Sequence, residues 1–205
     1  MIRPAILAVV AFLIVPALPA SGQQATAKTP RVINITTDSA PGWLPSEELD
    51  VEADAFLRNY FGAYDRGDDP KLWGMTGDGF RSLSTYAQFR TDNKRTRQDL
   101  GHMRTLEVLR ATWTKDPANA PEPGIYVAID ISGHFTKAQR HCGYVVLFKS
   151  SASNPFRLTR IETNYMTDAA ARTFAKRKLP GELDRVWSTV SANCPNYPKQ
   201  PIAVY

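Results

Sequence analysis

Along the chain the apolar positions first run unbroken, then recur at helical spacing, then alternate. From Leu49 onward, Leu49, Ala53, Phe56, Leu57, Tyr60, Phe61 and Tyr64 return every three or four positions, which predicts a helix with one apolar face. Pro45-Ser46 offers its N-cap, and Glu47, Glu48 and Asp50 place negative charge in its first turns, where the helix dipole favours it. Gly67 with Asp68-Asp69-Pro70 stops it, and Lys71 to Gly79 reads as a Gly-punctuated turn carrying Leu72, Trp73 and Met75. A second helix is predicted from about Ser84 to Leu100, anchored by Tyr86, Phe89 and Leu100.

After Gly101 the period falls to two. Arg104 to Thr114 is rich in β-formers, and Lys115 to Gly124 is a proline-rich loop. In Ile125 to Phe135, Ile125, Val127, Ile129, Ile131 and Phe135 share one face, with Tyr126, Asp130, Ser132 and His134 on the other. That is a half-buried antiparallel strand. His141–Lys149 and Phe156–Met166 predict two more strands, joined by the polar turn Ser150–Pro155. Thr167-Asp168 then caps a short helix, and Leu179-Pro180-Gly181 starts another with Leu183, Val186, Trp187 and Val190 inward. Helices followed by consecutive strands on short turns mean an α+β fold. The expected architecture is N-terminal helices packed on a curled antiparallel sheet of about four strands, with short C-terminal helices.

The first residues have another purpose. Arg3 followed by the apolar run Ala5–Val15, then Pro16, Pro19 and the small residues Ala20-Ser21-Gly22, is the three-part layout of a secretory signal peptide. The apolar run is shorter than the roughly 20 residues a membrane span needs. Cleavage is expected after Ala20 or Gly22, with no cysteine nearby to carry a lipid anchor. The predicted organisation is a signal peptide over 1–22, a polar linker or arm over 23–44, one α+β domain over 45–194 and a tail over 195–205. The mature protein is expected to be periplasmic or secreted, touching the membrane only through its signal peptide. In such an oxidising compartment the two cysteines, Cys142 and Cys194, are expected to pair.

Several short stretches carry a likeness. Ala40-Pro41-Gly42-Trp43-Leu44-Pro45-Ser46, the helix with Phe56, Tyr60, Ala63, Tyr64 and Asp65, and Leu72-Trp73 resemble small exported bacterial proteins of an uncharacterised domain family. Gly101 with Arg104, and Gly124-Ile125-Tyr126-Val127 opening a strand after a proline loop, match its layout. The likeness covers roughly residues 45–166. It implies the cone-shaped α+β fold of the nuclear-transport-factor-two-like superfamily, which holds isomerases, dehydratases and binding modules, and it brings no catalytic residue with it.

The chain's 205 residues are 43% hydrophobic and 22% charged, so disordered, fibrous and disulfide-dense classes are excluded. A net charge of +5 favours anionic neighbours. The segment Glu47–Asp69 is acidic and Arg90–Arg110 basic, so pairing between them competes with binding of an anionic envelope polymer. No nucleic-acid motif or aromatic interleaving accompanies the basic residues, so no nucleic-acid partner is expected. The stretch Gly74-Met75-Thr76-Gly77-Asp78-Gly79 matches neither a phosphate loop nor a dinucleotide fingerprint, no G-x-S-x-G occurs, and no cofactor or metal is expected.

Asp130, His134 and His141 form the sharpest acid–base group, expected on adjacent strand ends, with Asp130 and His134 facing outward. Phe56, Tyr60 and Tyr64 on the first helix are the candidate ligand-binding residues, against the plainer reading as core. The function expected is a non-catalytic exported module binding a small apolar ligand or an envelope protein. It would form a homodimer through the sheet face bearing Tyr126, Asp130 and His134. The competing reading is a small isomerase- or dehydratase-type enzyme using Asp130 or a histidine as base.

Overall fold

A computed structural model describes residues 33–36, 38–176 and 181–197. The expected signal peptide, the start of the arm and most of the tail lie outside those residues. The first helix, α1 (Glu47–Arg66), starts where its cap predicts: the Leu49 N–H donates to Ser46 Oγ, and Gly67 closes it. The Gly-punctuated stretch is more ordered than its composition suggests. It forms two short helices, α2 (Asp69–Gly74) and α3 (Asp78–Arg81), with Asp68 capping the first through the Lys71 N–H. Helix α4 (Tyr86–Leu100) follows, capped by Thr85.

The sheet has five strands in the order β1 (Ile33–Ile35), β2 (Met103–Lys115), β3 (Ile125–Phe135), β4 (Arg140–Lys149) and β5 (Arg157–Met166). The four long strands are antiparallel, as the alternating pattern requires, and β5 does not pair back onto β1, so the sheet is open. The strand not foreseen is β1. It falls within the predicted polar linker or arm, yet Ile33–Ile35 pairs in parallel with Ala111–Trp113 and makes the sheet mixed. Three residues are too few to show a period of two, so the pattern alone hides this strand. Gly74–Gly77 borders the opposite edge, with the Gly77 N–H on Leu158 O, the Leu158 N–H on Met75 O and Arg157 Nη1 donating to Gly74 O.

Each face of the sheet carries its own core. On the inner face Val127, Ile129, Ile131, Val145 and Leu147 are fully buried against Ala53, Leu57, Tyr60 and Phe61 of α1. Lys149, buried at the end of β4, pairs with Glu52 and ties the start of α1 to the sheet. Arg97 of α4 meets Asp69 of α2 bidentately at 2.8 and 3.0 Å, a geometry that also fixes direction. The short C-terminal helices, α5 (Asp168–Lys176) and α6 (Glu182–Val190), belong to a second, smaller core of Cys142, Met166, Ala171, Leu183, Trp187 and Cys194. Cys142 and Cys194 are joined by a disulfide, their Cα atoms 5.8 Å apart, which holds the C-terminal segment to β4. Gly143, next to that bond, is required by space. A Cβ there would lie 2.0 Å from the Glu162 carbonyl oxygen of β5.

Candidate functional site

Between α1, α4 and the inner face of β3–β5 lies a cavity of about 280 Å³. Helix α1 contributes Tyr60, Phe61 and Tyr64 because these three fall on its sheet-facing stripe. Helix α4 contributes Phe89, Asn93, Thr96 and Leu100, which follow the same three- and four-residue spacing, together with Asp92 at the rim of that stripe. Phe135, His141, Ile161 and Thr163 come from the sheet, and Phe80 and Ser84 close one side. The wall is mainly aromatic and aliphatic, with a few polar groups placed within it, the usual composition of a small-molecule pocket.

Three of those polar groups are unsatisfied. Tyr64 Oη, Asn93 Nδ2 and His141 Nδ1 are buried and have no hydrogen-bond partner among the described residues. Tyr64 is 8% and His141 2% exposed. A buried polar atom without a partner costs on the order of 1–3 kcal/mol, so such atoms gathered round one space call for an explanation. Burial raises the Tyr64 phenol and the neighbouring Tyr60 phenol well above their ordinary range, so both stay protonated, although the Arg97 guanidinium over the Tyr64 ring opposes the shift there. Burial lowers His141 to about 4, leaving a neutral imidazole at pH 7. Its ring packs 5.0 Å from the Phe135 ring, and its Nδ1 sits 3.0 Å from where a Cβ on Gly133 would be.

The expected acid–base group does not assemble. Strand parity places His141 with Val145 and Leu147 on the inner face, whereas Asp130 and His134 lie on the outer one. His134 is exposed, as read from the sequence. Asp130 does point outward, but it does not meet solvent or a free partner surface. It is 6% exposed beneath the C-terminal segment, where the Asn196 side chain donates to its carboxylate. Burial raises the Asp130 pKa, against that hydrogen bond and the Arg110 charge. The outer face is therefore closed at Asp130 by the chain's own end. A terminal segment far away in sequence causes this, so the alternation of β3 holds no trace of it.

Of the aromatic trio on α1, Tyr60 and Tyr64 line the cavity. Phe56 lies one turn earlier, its ring stacked on Tyr60 at 6.2 Å and packed against the core. Tyr86, read as an apolar anchor of α4, instead lies 36% exposed beside the Trp73 ring. The cavity residues that sequence reasoning missed include Asn93 and Thr96, while His141, singled out as part of the acid–base group, stands in the cavity instead. The signal for the first two was present: polar side chains at inward positions of the stripe Phe89, Asn93, Thr96, Leu100.

The family described as "Protein of unknown function (DUF4019)" matches residues 57–159. The chain belongs to this family. No curated protein and no solved structure matches the chain. The family match runs from within α1 to within β5, so it contains Tyr60, Tyr64, Asn93 and His141 but stops before Ile161, Thr163 and the C-terminal cover. Among the described residues, no group of three or more His, Cys, Asp or Glu side chains is placed to hold a metal ion, and no helix is long and apolar enough to cross a membrane.

Proposed function

We propose that this protein is an exported, non-catalytic binding module. It holds a small, mainly apolar molecule in the cavity between α1, α4 and the sheet. The observation that carries the reading is the set of three unpartnered polar atoms, Tyr64 Oη, Asn93 Nδ2 and His141 Nδ1, around an aromatic-lined space. A ligand with one polar end would satisfy these atoms while its body replaces water against Phe61, Phe89 and Phe135. The absence of a charged imidazole at pH 7 favours an uncharged polar end. The likeness to small exported bacterial proteins of the nuclear-transport-factor-two-like superfamily agrees with this reading, because that superfamily includes pure binding modules. Export to the periplasm or beyond is supported by the Cys142–Cys194 bond, since such bonds persist in oxidising compartments.

A second reading, an isomerase- or dehydratase-type enzyme, rests on His141 rather than on Asp130, which lies on the other face. A base whose pKa is near 4 is weak at neutral pH, and this favours binding over catalysis. The test is uptake of the neutral fluorophore N-phenyl-1-naphthylamine, with native mass spectra of the purified protein to identify any co-purified molecule. Saturable fluorescence gain that disappears in Thr96→Phe, which fills the cavity, is expected. Equal uptake by Thr96→Phe and the parent, or no uptake by either, overturns the reading.

A further inference from the structure

Helix α4 separates the cavity from an outward surface that the binding reading leaves unused. Leu83, in the link between α3 and α4, is 85% exposed. Just beyond it, Tyr86, Ala87, Arg90, Thr91 and Lys94 line a shallow depression along the helix. Their three- and four-residue spacing puts them on one side. Arg90 and Lys94 are exposed and have no ion-pair or hydrogen-bond partner among the described residues. The acid nearest in sequence, Asp92, is already engaged: it accepts from Gln88 Nε2 at 2.9 Å and pairs with Arg95 at 3.5 Å. Arg81 in α3, also exposed, adds positive charge nearby but is engaged, donating to Thr76 Oγ1 at 3.0 Å and to Trp73 O at 2.8 Å with its guanidinium over the Trp73 ring. The free cations are therefore Arg90 and Lys94. One side of the helix thus presents an exposed leucine, a half-open tyrosine and free cations, and the other side presents Phe89, Asn93, Thr96 and Leu100 to the cavity. Ser84, the neighbour of Leu83, lies on the cavity wall.

We propose that the Leu83–Tyr86–Arg90–Lys94 face docks on an anionic lipid bilayer, and that the cavity behind α4 takes its ligand from there. An apolar tip entering the headgroup boundary, with cations against the phosphates, is how an amphipathic helix lies on such a surface. Tyr suits the boundary because one end is apolar and the other polar. Charge complementarity selects the bilayer over a second copy of the chain, which would bring Arg90 and Lys94 against like charges. The second half of the proposal rests on the cavity reading; the docking does not.

Flotation with vesicles of equal parts phosphatidylcholine and phosphatidylglycerol, against phosphatidylcholine alone, tests the docking. The protein is expected to float with the anionic vesicles only, and less as salt rises. Each basic contact near such a surface is worth about 1 kcal/mol, so Arg90→Glu/Lys94→Glu is expected to weaken binding at least about tenfold. Arg172→Glu/Arg185→Glu changes net charge equally on α5 and α6 and is expected to float like the parent. Leu83→Ser is expected to lose a share of the binding that high salt leaves behind. Failure of the parent to float, or equal loss in both double variants, overturns the docking. So does a dimer in size exclusion that Arg90→Glu/Lys94→Glu dissolves while flotation persists. Uptake of N-phenyl-1-naphthylamine without vesicles, measured on the same variants, reports both folding and the cavity. Flotation without uptake removes the cavity reading alone, and uptake without flotation removes the docking alone.

Discussion

At the scale of single residues, His141 has a measurable consequence for stability. Its pKa falls from 6.5 to about 4 on folding because burial penalises the imidazolium. Between those values the unfolded chain binds a proton that the folded chain refuses. Stability is therefore lost as pH drops from about 6.5 towards 4, by about 3 kcal/mol at full extent. Asp130 works the other way, since its raised pKa makes protonation favour the folded state in the acid part of that window. Melting curves of the parent and of His141→Asn separate the two. The variant is expected to lose less stability between pH 6.5 and 4, and parallel profiles would contradict the buried neutral imidazole. Tyr64→Phe makes the complementary point. It removes a buried hydroxyl that has no partner, so the melting temperature of the ligand-free protein is expected to hold or rise. Affinity for an oxygen-bearing ligand is expected to drop while affinity for a hydrocarbon of the same shape does not. A clear loss of stability in Tyr64→Phe would mean that the hydroxyl is satisfied within the protein.

Elements show where local sequence suffices. Helix α1 is legible because Ser46, its acidic first turns and its apolar stripe all agree, and the structure begins it at Glu47. Strand β3 is legible because strict alternation leaves little choice of face, and β2, β4 and β5 because β-formers run between turn signals. β1 is not, since three residues gain their strand geometry from the free edge of β2. The C-terminal helices were readable as helices, but their place on the outer face was not; the Cys142–Cys194 bond and the small core around Trp187 decide it. That bond closes a loop of 52 residues, worth roughly 4 kcal/mol in the chain-entropy model. Reduction, or Cys142→Ala/Cys194→Ala, is thus expected to lower the melting temperature by about 10 °C. Trp187 emission should shift as its surroundings loosen. An unchanged melting temperature would mean that the C-terminal segment adds nothing to the stability of the fold.

For the whole molecule, the decisive feature is the use of both faces of one open sheet. The inner face carries the main core and the cavity; the outer face carries the disulfide-held C-terminal cover. Because their residues form separate clusters, the two are expected to be energetically independent. Cys142→Ala/Cys194→Ala should take up N-phenyl-1-naphthylamine with affinity within about twofold of the parent at a temperature where both are folded. A large loss would show that the cover also holds the cavity in shape. The amino-acid sequence by itself determined the α+β class, the presence of α1, α4 and β2–β5, the facing of α1, and the inward set Ile125, Val127, Ile129, Ile131. These follow from local spacing and from the burial of apolar side chains. Tertiary structure alone decided that Asp130 is roofed by Asn196, that His141 stands apart from it on the other face, and that Tyr64, Asn93 and His141 surround one space. Each depends on segments that meet only after the chain has closed over distances of tens of residues, where no local period reaches.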